Sequence, residues 1–210
     1  MVESKLEEQS AVFRAVLRLA SASPRRRQLL DLIGVPHLVT PADIDETPRP
    51  AEPADRYVTR LALEKAEAVW ARHHDLPVLA ADTTVVVDRE ILAKPESEAD
   101  AQAMLGKLSG RTHIVHTGIA VRSARGAQVG MSSTSVSFAT LDAAQIRAYW
   151  ASGEPQGKAG AYAIQGLGAV FVANIAGSYT GVMGLPLFET AALLRAHGVP
   201  VWGGDLRGAS

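Results

Sequence analysis

The sequence predicts an α/β fold built on a mixed β-sheet with helices packed against it. Residues 78–87 are almost wholly apolar and rich in β-branched types, which is typical of a strand buried on both faces in the middle of a sheet. Residues 16–34 predict a short strand that leads directly into a capped helix. Residues 112–121 and 127–140 predict two long strands joined by a polar turn, so the fold is expected to contain a β-hairpin as well.

The chain of 210 residues fits one domain with a sizeable apolar interior. The sequence contains no internal repeat and no low-complexity linker that would divide this domain. We predict an N-terminal extension over residues 1–15, one domain over residues 16–200 and a C-terminal tail over residues 201–210.

Composition excludes several classes of function. The 21 basic and 22 acidic residues nearly cancel, so the chain has no overall field for a nucleic acid polymer or an anionic membrane. The absence of cysteine excludes disulfides, iron–sulfur clusters, thiolate zinc sites and a cysteine nucleophile. No apolar run approaches the ~18–20 residues of a membrane span, and the N-terminus lacks the apolar core of a signal peptide. A cytoplasmic protein is therefore expected.

The first predicted strand, residues 16–20, is followed by a helix with a clear start and stop. Ser23 is a good N-cap, Pro24 is favoured at the first helical position, and Gly34 is a natural stop. Free backbone N–H groups and the positive end of the helix dipole therefore point to one place.

Arg25, Arg26 and Arg27 fill the first turn of this helix, where acidic residues are usually preferred. They form either a solvated basic turn or part of an anion site. The preceding Ser and Pro residues favour phosphate binding. The spacing is not that of a P-loop, since the sequence contains no G-x-x-x-x-G-K-[ST] motif.

Residues 36–56 are rich in proline and acidic side chains and predict a loop. Asp45 and Glu46 in this loop are either surface charges, the commoner case, or ligands of a hard cation. Residues 55–73 predict a long helix, in which Lys65 lies beside the apolar stripe. Taken alone, Lys65 is expected to extend its ammonium group to solvent.

Asp82 interrupts the buried strand over residues 78–87, with the hydroxyl of Thr83 beside it. A buried carboxylate is costly unless it is paired, bound to metal or hydrogen-bonded. Asp82 is therefore either a satisfied structural residue or a carboxylate that the strand presents to a metal ion or water in a cleft. A polar turn at residues 88–90 predicts a hairpin whose return arm ends at Lys94, which can bring Lys94 close to Asp82.

The second half of the chain predicts three further helices, over residues 97–108, 142–150 and 186–197. His113 and His116 lie on opposite faces of one predicted strand, so we reject them as a metal pair. The hydroxyl-rich residues 132–135 are expected to face solvent. Residues 153–184 are dense in glycine, which permits either close approach of the backbone to a ligand or bulges and tight bends.

Several short motifs occur in order and with consistent spacing over residues 17–195. They are Ser21-Ala22-Ser23-Pro24-Arg25-Arg26, Glu64-Lys65-Ala66, Ala81-Asp82-Thr83, Lys94-Pro95, Leu108-Ser109-Gly110 and Lys158-Ala159-Gly160. Together they resemble the Maf family, the septum-formation-inhibitor-like nucleotide pyrophosphatases. The resemblance implies an elongated α/β fold with two lobes around a central cleft, similar to inosine-triphosphate pyrophosphatases. It also implies hydrolysis of a nucleoside triphosphate to the monophosphate and pyrophosphate with a divalent cation, Mg²⁺ or Mn²⁺.

Residues 162–166, 177–179 and 184–187 further resemble the dTTP/UTP subgroup of that family, which makes modified pyrimidine nucleotides additional candidate substrates. Gln165 stands where the alternative subgroup, which acts on 7-methyl-GTP, typically has Glu. Ala22 replaces a glycine that is frequent in relatives, a mild departure that should leave the loop intact.

Residue chemistry and the resemblance together assign a candidate site. The candidate substrate-binding residues are Ser21, Ser23, Arg25, Arg26, Thr83 and Gln165, of which Arg25, Thr83 and Gln165 match the positions that set specificity. The candidate catalytic residues are Asp82, as proton acceptor, with Lys65 and Lys94 beside the scissile bond. The candidate metal ligands are Glu46 and Asp82. We expect the protein to be a homodimer.

Two alternatives from other functional classes remain open. One is a nucleotide-binding regulator of cell division without turnover. The other is a sugar- or phosphoester-processing enzyme with a similar anion-binding loop. Such an enzyme would not need Gln165, whose amide can both donate to and accept from a pyrimidine edge.

Overall fold

A computed structural model describes residues 15–202. The predicted N-terminal extension (1–15) and C-terminal tail (201–210) lie almost wholly outside these residues. Within the described part of the chain, no helix is long and apolar enough to cross a membrane.

The described residues form a seven-stranded mixed sheet with helices packed on it, which confirms the predicted α/β class. The strands are β1 Leu17–Leu19, β2 His37–Val39, β3 Val78–Val87, β4 Glu90–Leu92, β5 Thr112–Ser123, β6 Gly126–Phe138 and β7 Val172–Ala176. The main strand order is β2-β1-β3-β5-β6-β7, with β4 also paired to β3. β1 runs parallel to β2 and β3, whereas the other pairs are antiparallel.

The helices are α1 Pro24–Leu32, α2 Ala54–Trp70, α3 Glu98–Leu108, α4 Ala143–Ala151, α5 Tyr179–Met183 and α6 Leu187–Ala196. Two 3₁₀ turns, Ala159–Ala161 and Leu167–Phe171, lie in the glycine-rich region. Ser23 stands at the N-cap position of α1 with Pro24 after it, as predicted, but its side chain makes no capping hydrogen bond. The predicted starts of α3 and α4 are capped. Ser97 caps α3 by accepting a hydrogen bond from the Asp100 N–H, and Asp142 caps α4 through a capping box with Gln145.

Three elements escaped the sequence prediction: β2, β7 and α5. β2 lies inside the predicted loop over residues 36–56, and its backbone pairs in parallel with β1. Solvent exposure of residues 132–135 is also wrong in part. Ser132 and Thr134 are buried because side chains alternate between the two faces of β6.

β3 contributes to three apolar clusters: a small one that joins Val78 and Ala80 to residues of α2, and two larger cores towards its two ends. Leu79 belongs to the aliphatic core, which includes Leu17, Leu19 and Leu30. Val85 belongs to the aromatic core, whose rings include Phe138, Tyr149, Tyr162 and Phe171. Asp82, Thr83 and Thr84 lie between the cores, where the two lobes of the molecule part.

One edge of β3 is interrupted at this same place. β1 pairs with residues 78–79 of β3, and β4 pairs with residues 85–87. Residues 80–84 have no strand partner on that edge among the described residues. The interruption leaves side chains of the middle of β3 open to a cleft, much as a switch point does in an open α/β sheet.

On the opposite edge, Gly118 of β5 pairs with Asp82, and α2 packs directly over this pair. A Cβ atom on Gly118 would lie 2.4 Å from the Val58 carbonyl oxygen of α2. Glycine is therefore required for the helix backbone to approach the sheet, and this approach brings Lys65 of α2 to Asp82.

Candidate active site

A cleft of about 850 Å³ opens between the lobes, over the interrupted edge of β3. Every predicted site residue lines it: Ser21, Ser23, Arg25, Arg26, Glu46, Lys65, Asp82, Thr83, Lys94 and Gln165. They come from α1, α2, β3 and four loops, so the fold alone brings them together.

Lys65 lies at the centre of a buried charge cluster. Its Nζ is 2.6 Å from Asp82 Oδ1 and 2.8 Å from Glu46 Oε1. The side chains of Lys65 and Asp82 are only 9% and 12% exposed. The expectation that Lys65 extends into solvent is therefore wrong, because two carboxylates stabilise its charge inside the cleft.

The same two carboxylates can hold a divalent cation together with substrate phosphates. Asp82 Oδ2 and Glu46 Oε2 make no hydrogen bond to any residue of the 15–202 segment. Within that segment there is no cluster of three or more His, Cys, Asp or Glu residues that could hold a metal alone. Two carboxylates completed by phosphate oxygens are a typical arrangement for Mg²⁺, so the donor set fits.

The surroundings of Glu46 favour its ionised form and hold its loop in place, as a cation ligand requires. Burial favours its neutral form, but the Lys65 and Lys94 ammonium groups outweigh burial and hold the pKa of Glu46 below its ordinary value. The loop that carries it is tied to α2, since the Tyr57 hydroxyl donates to the Glu46 carbonyl oxygen at 2.9 Å. Burial, with Asp82 and Glu46 nearby, raises the pKa of Tyr57 to about 12, so this hydroxyl stays a donor.

Arg26 is fixed by three hydrogen bonds from its guanidinium group. It donates to the Gly184 carbonyl at 2.8 Å, to Ser21 Oγ at 3.1 Å and to Thr83 Oγ1 at 3.3 Å. Ser21 Oγ also accepts from the Ser23 N–H at 3.2 Å. Burial lowers the pKa of Arg26 more than neighbouring Asp82 raises it, but arginine remains charged at neutral pH. The cleft therefore holds a rigid cation at the start of α1.

Thr117 on β5, which the sequence did not single out, orients Thr83. Its Oγ1 lies 3.0 Å from Thr83 Oγ1 and 2.7 Å from the Gly181 carbonyl oxygen. Because the carbonyl can only accept and Arg26 can only donate, one proton arrangement satisfies the whole chain. Thr83 accepts from Arg26 and donates to Thr117, and Thr117 donates to Gly181.

Arg25, Lys158 and Lys94 add further positive charge along the cleft. Arg25 donates to the Met183 carbonyl oxygen at 3.3 Å. Burial lowers the pKa of Arg25 and of Lys158, and the charge of Arg25 lowers that of Lys158 further. Lys158 was not among the predicted site residues, yet it lines the same cleft. Clustered cations that repel one another are typical of a site for a polyanion.

Gln165 lines the same cleft from the glycine-rich segment. It is exposed, and its amide makes no hydrogen bond to the described residues, so both its donor and its acceptor can face a ligand. His113 and His116 are far from such a role. His113 is buried against Tyr162, and His116 bonds to Ser133 on the other face.

Comparison with known proteins gives one consistent family. The family model described as Maf-like protein matches residues 16–197. The dTTP/UTP pyrophosphatase of Methylobacillus flagellatus is 57% identical over 187 residues, covering 88% of this chain and 94% of that protein. The dTTP/UTP pyrophosphatase of Bordetella parapertussis is 54% identical over 194 residues, with the same coverage of 88% and 94%.

Among solved structures, the Staphylococcus aureus Ham1 protein matches 58% of this chain and 71% of its own, with a TM-score of 0.45 and 17% identity.

Proposed function

Since the chain belongs to the Maf-like protein family, we propose that it hydrolyses dTTP and UTP to the nucleoside monophosphate and pyrophosphate. The observation that carries the proposal is the buried Lys65–Asp82–Glu46 cluster, which lies in one cleft with Arg26 and Gln165. Relatives more than half identical over most of this chain carry the name dTTP/UTP pyrophosphatase.

In this proposal, the triphosphate lies along the cations at the start of α1. Arg25 and Arg26 bind phosphate oxygens through charge-assisted hydrogen bonds, helped by the backbone N–H groups that follow Ser23. Lys94 and Lys65 lie on either side of Glu46 and stabilise negative charge on the phosphates next to the scissile bond.

Asp82 orients, or deprotonates, the water that attacks the α-phosphorus. The new bond joins the water oxygen to that phosphorus, the bond to the bridging oxygen breaks, and pyrophosphate leaves with the bonding electrons. Lys65 holds Asp82 in place through the 2.6 Å hydrogen bond to Oδ1. A divalent cation held by Glu46 and Asp82 would neutralise phosphate charge and favour ionisation of the attacking water.

Gln165 reads the base in this proposal. A thymine or uracil edge presents carbonyl acceptors around one N–H donor, and a carboxamide complements that pattern with a donor and an acceptor. A glutamate at the same place could only accept, which would set its carboxylate against the carbonyl oxygens of the pyrimidine.

The cellular setting is part of the same proposal: a single domain over residues 16–200 that works in the cytoplasm as a homodimer, without a nucleic acid polymer. The near-balance of 21 basic and 22 acidic residues supports the last point. Phe188, 87% exposed, and Met131 border one shallow depression that suits a second copy of the chain. Light scattering of the purified protein tests the homodimer.

A product assay over a nucleotide panel tests the function. We expect pyrophosphate with UMP and dTMP from UTP and dTTP, slower reaction of CTP, GTP and 7-methyl-GTP, and loss of turnover when EDTA removes divalent cations. Orthophosphate as the product would indicate phosphoester chemistry instead. Binding without any product would indicate a regulator, and a preference for 7-methyl-GTP would overturn the pyrimidine assignment.

A further inference from the structure

The segment that carries Gln165 has little regular structure of its own. It connects the 3₁₀ turn Ala159–Ala161 to the 3₁₀ turn Leu167–Phe171, and Gln165 itself is exposed. A side chain that selects a base must be held in place before the substrate arrives, since a loosely held amide would follow any base edge. The hydrogen bonds of the neighbouring residues show what holds it.

Glu154, which lies in the loop after α4, accepts hydrogen bonds from the backbone that follows Gln165. Its Oε2 accepts from the Leu167 N–H at 2.9 Å, and its Oε1 accepts from the Gly168 N–H at 2.9 Å. Oε1 also accepts from the Tyr149 hydroxyl at 2.7 Å.

The backbone that precedes Gln165 is held by the same pair. The Tyr149 hydroxyl accepts from the Ala163 N–H at 3.1 Å while it donates to Glu154. Glu154 and Tyr149 therefore fix the chain two residues before and two residues after Gln165, and neither bonds to the Gln165 side chain.

The glycines of this segment are explained by the same contact. A Cβ on Gly166 would lie 2.1 Å from Glu154 Oε2, and a Cβ on Gly168 would lie 2.6 Å from the Tyr149 hydroxyl oxygen. The Glu154 carboxylate thus lies directly against the backbone. The sequence predicted either approach of the backbone to a ligand or tight bends, whereas these two glycines admit side chains of the protein itself to the backbone.

A carboxylate is the group required at this position. All the partners of Glu154 are donors, and an ionised carboxylate only accepts. Burial favours the neutral acid, but the Gly168 N–H, the Tyr149 hydroxyl and the Leu167 N–H outweigh it, so the pKa of Glu154 is lowered and the side chain is ionised at neutral pH. A glutamine would turn its NH₂ group towards one of these donors.

We propose that Glu154 is a positioning residue for base selection, which with Tyr149 presents the Gln165 amide to the pyrimidine. The inference rests on the proposed function, because it takes Gln165 as the base reader. It assigns pyrimidine selectivity to a side chain that contacts no part of the nucleotide in this scheme.

The test compares Glu154→Gln and Tyr149→Phe with the unchanged protein, using kcat/KM for UTP, dTTP, CTP and GTP. We expect the preference for UTP over GTP to fall about tenfold in each variant, mostly through KM for the pyrimidine nucleotides. Inhibition by inorganic tripolyphosphate, which has no base, should change by less than about twofold in Tyr149→Phe, which keeps every charge. Glu154→Gln removes a negative charge near Arg25 and Lys158, so tripolyphosphate should bind slightly tighter to that variant, not more weakly. Glu67→Gln is the matched control, since it removes a carboxylate that pairs with Arg122 outside the cleft.

A double-mutant cycle with Gln165→Glu separates this inference from the proposed function. If Glu154 acts through Gln165, then Glu154→Gln should cause little further loss of selectivity in the Gln165→Glu background. A selective loss for Gln165→Glu with none for Glu154→Gln would overturn this inference and leave the proposed function intact. An equal loss on all four nucleotides and on tripolyphosphate, with a lowered Tm, would make Glu154 purely structural. An equal loss of kcat/KM on all four nucleotides for Gln165→Glu would show that Gln165 does not select the base, which would contradict the premise of this inference.

Discussion

The proposed function divides the cleft into a phosphate end, formed by Arg26, Lys65 and Asp82, and a base end, formed by the segment that carries Gln165. The two ends are built in different ways. At the phosphate end, charged side chains of α1, α2 and β3 contact one another or their neighbours directly, with Arg26, Lys65 and Asp82 as the central groups. At the base end, an irregular backbone carries Gln165, and Glu154 holds that backbone from outside. One end is thus a set of coupled charges on rigid elements, and the other is an amide on a supported loop.

This difference predicts how each end responds to change. Removing one charge at the phosphate end leaves a buried partner unpaired, which is costly. Changing a group at the base end shifts which nucleotide is preferred, because the phosphates still bind. Losses at the phosphate end should therefore be large and independent of the base, and losses at the base end smaller and selective.

Asp82→Asn should give the largest effect. The amide is nearly isosteric but cannot accept a proton and is a poorer metal ligand, so kcat should fall by about 10³-fold or more. Nucleotide affinity, measured by equilibrium binding, should stay within about tenfold because the cations that hold the phosphates remain. Asp75→Asn, which alters a carboxylate paired with Arg18 outside the cleft, should leave kcat unchanged. A loss of affinity as great as the loss of turnover would show that Asp82 organises the whole site.

Arg26→Ala should come next. Charge-assisted arginine–phosphate bonds are worth ~1.5–3 kcal/mol, so KM should rise about tenfold to a hundredfold for both dTTP and UTP. Arg27→Ala is the matched control in the same helical turn, since Arg27 is exposed and does not line the cleft. A rise confined to one of the two nucleotides would contradict the assignment of Arg26 to the phosphates.

The sequence predicted the phosphate end better than the base end, because local signals define much of the phosphate end. Caps, prolines and a carboxylate in an apolar strand are local signals, and they located α1, β3 and Asp82 correctly. Lys65 was misread from its helix alone because its partners, Asp82 and Glu46, come from distant parts of the chain.

The base end is defined by tertiary contacts that leave no local pattern. Glu154 follows a helix in a polar turn and resembles any surface glutamate until the backbone of Leu167 is placed beside it. β2 and β7 are short edge strands whose pairing depends on long-range partners. The family resemblance predicted Gln165 as a substrate-binding residue, but only the structure shows which residues hold it in place.

Adding one methyl group at each end tests the contrast directly. Gly118→Ala places a Cβ 2.4 Å from the backbone of α2, so it should destabilise the protein by about 1–3 kcal/mol and slow turnover of every nucleotide. Gly166→Ala places a Cβ 2.1 Å from Glu154 Oε2 and displaces the carboxylate from the Leu167 and Gly168 N–H groups, so it should cost about 1–2 kcal/mol through those hydrogen bonds and leave the helix–sheet packing intact. Its preference for UTP over GTP should fall about tenfold.

Urea denaturation and kcat/KM on UTP and GTP measure both glycine variants. Gly106→Ala in α3 is the control: a Cβ there meets nothing within 4 Å. Alanine is favoured over glycine inside a helix by roughly 0.5–1 kcal/mol, so this variant should be slightly more stable and fully active. An equal change in the preference for UTP over GTP in the Gly118 and Gly166 variants would contradict the difference between the two ends.

The last expected effect comes from acid and acts on the stability of the aromatic core. This core contains His113, which is 1% exposed and lies 2.9 Å from the Tyr162 hydroxyl. Burial lowers the pKa of His113 from 6.5 to about 4. Between these values the unfolded chain binds a proton that the folded chain does not, so the free energy of unfolding falls as pH falls.

Stabilisation by neutral His113 is thus complete above pH 6.5 and declines towards pH 4, by at most about 1.4 kcal/mol per pH unit. His113→Phe keeps an aromatic ring against Phe138 and Tyr162 and removes the titration. It leaves the Tyr162 hydroxyl unpaired, a cost that does not depend on pH in this range. Urea denaturation from pH 4.5 to 7.5 should therefore give a shallower slope for the variant than for the unchanged protein. Parallel slopes would show that His113 is already protonated in the folded state and that acid acts on both lobes alike.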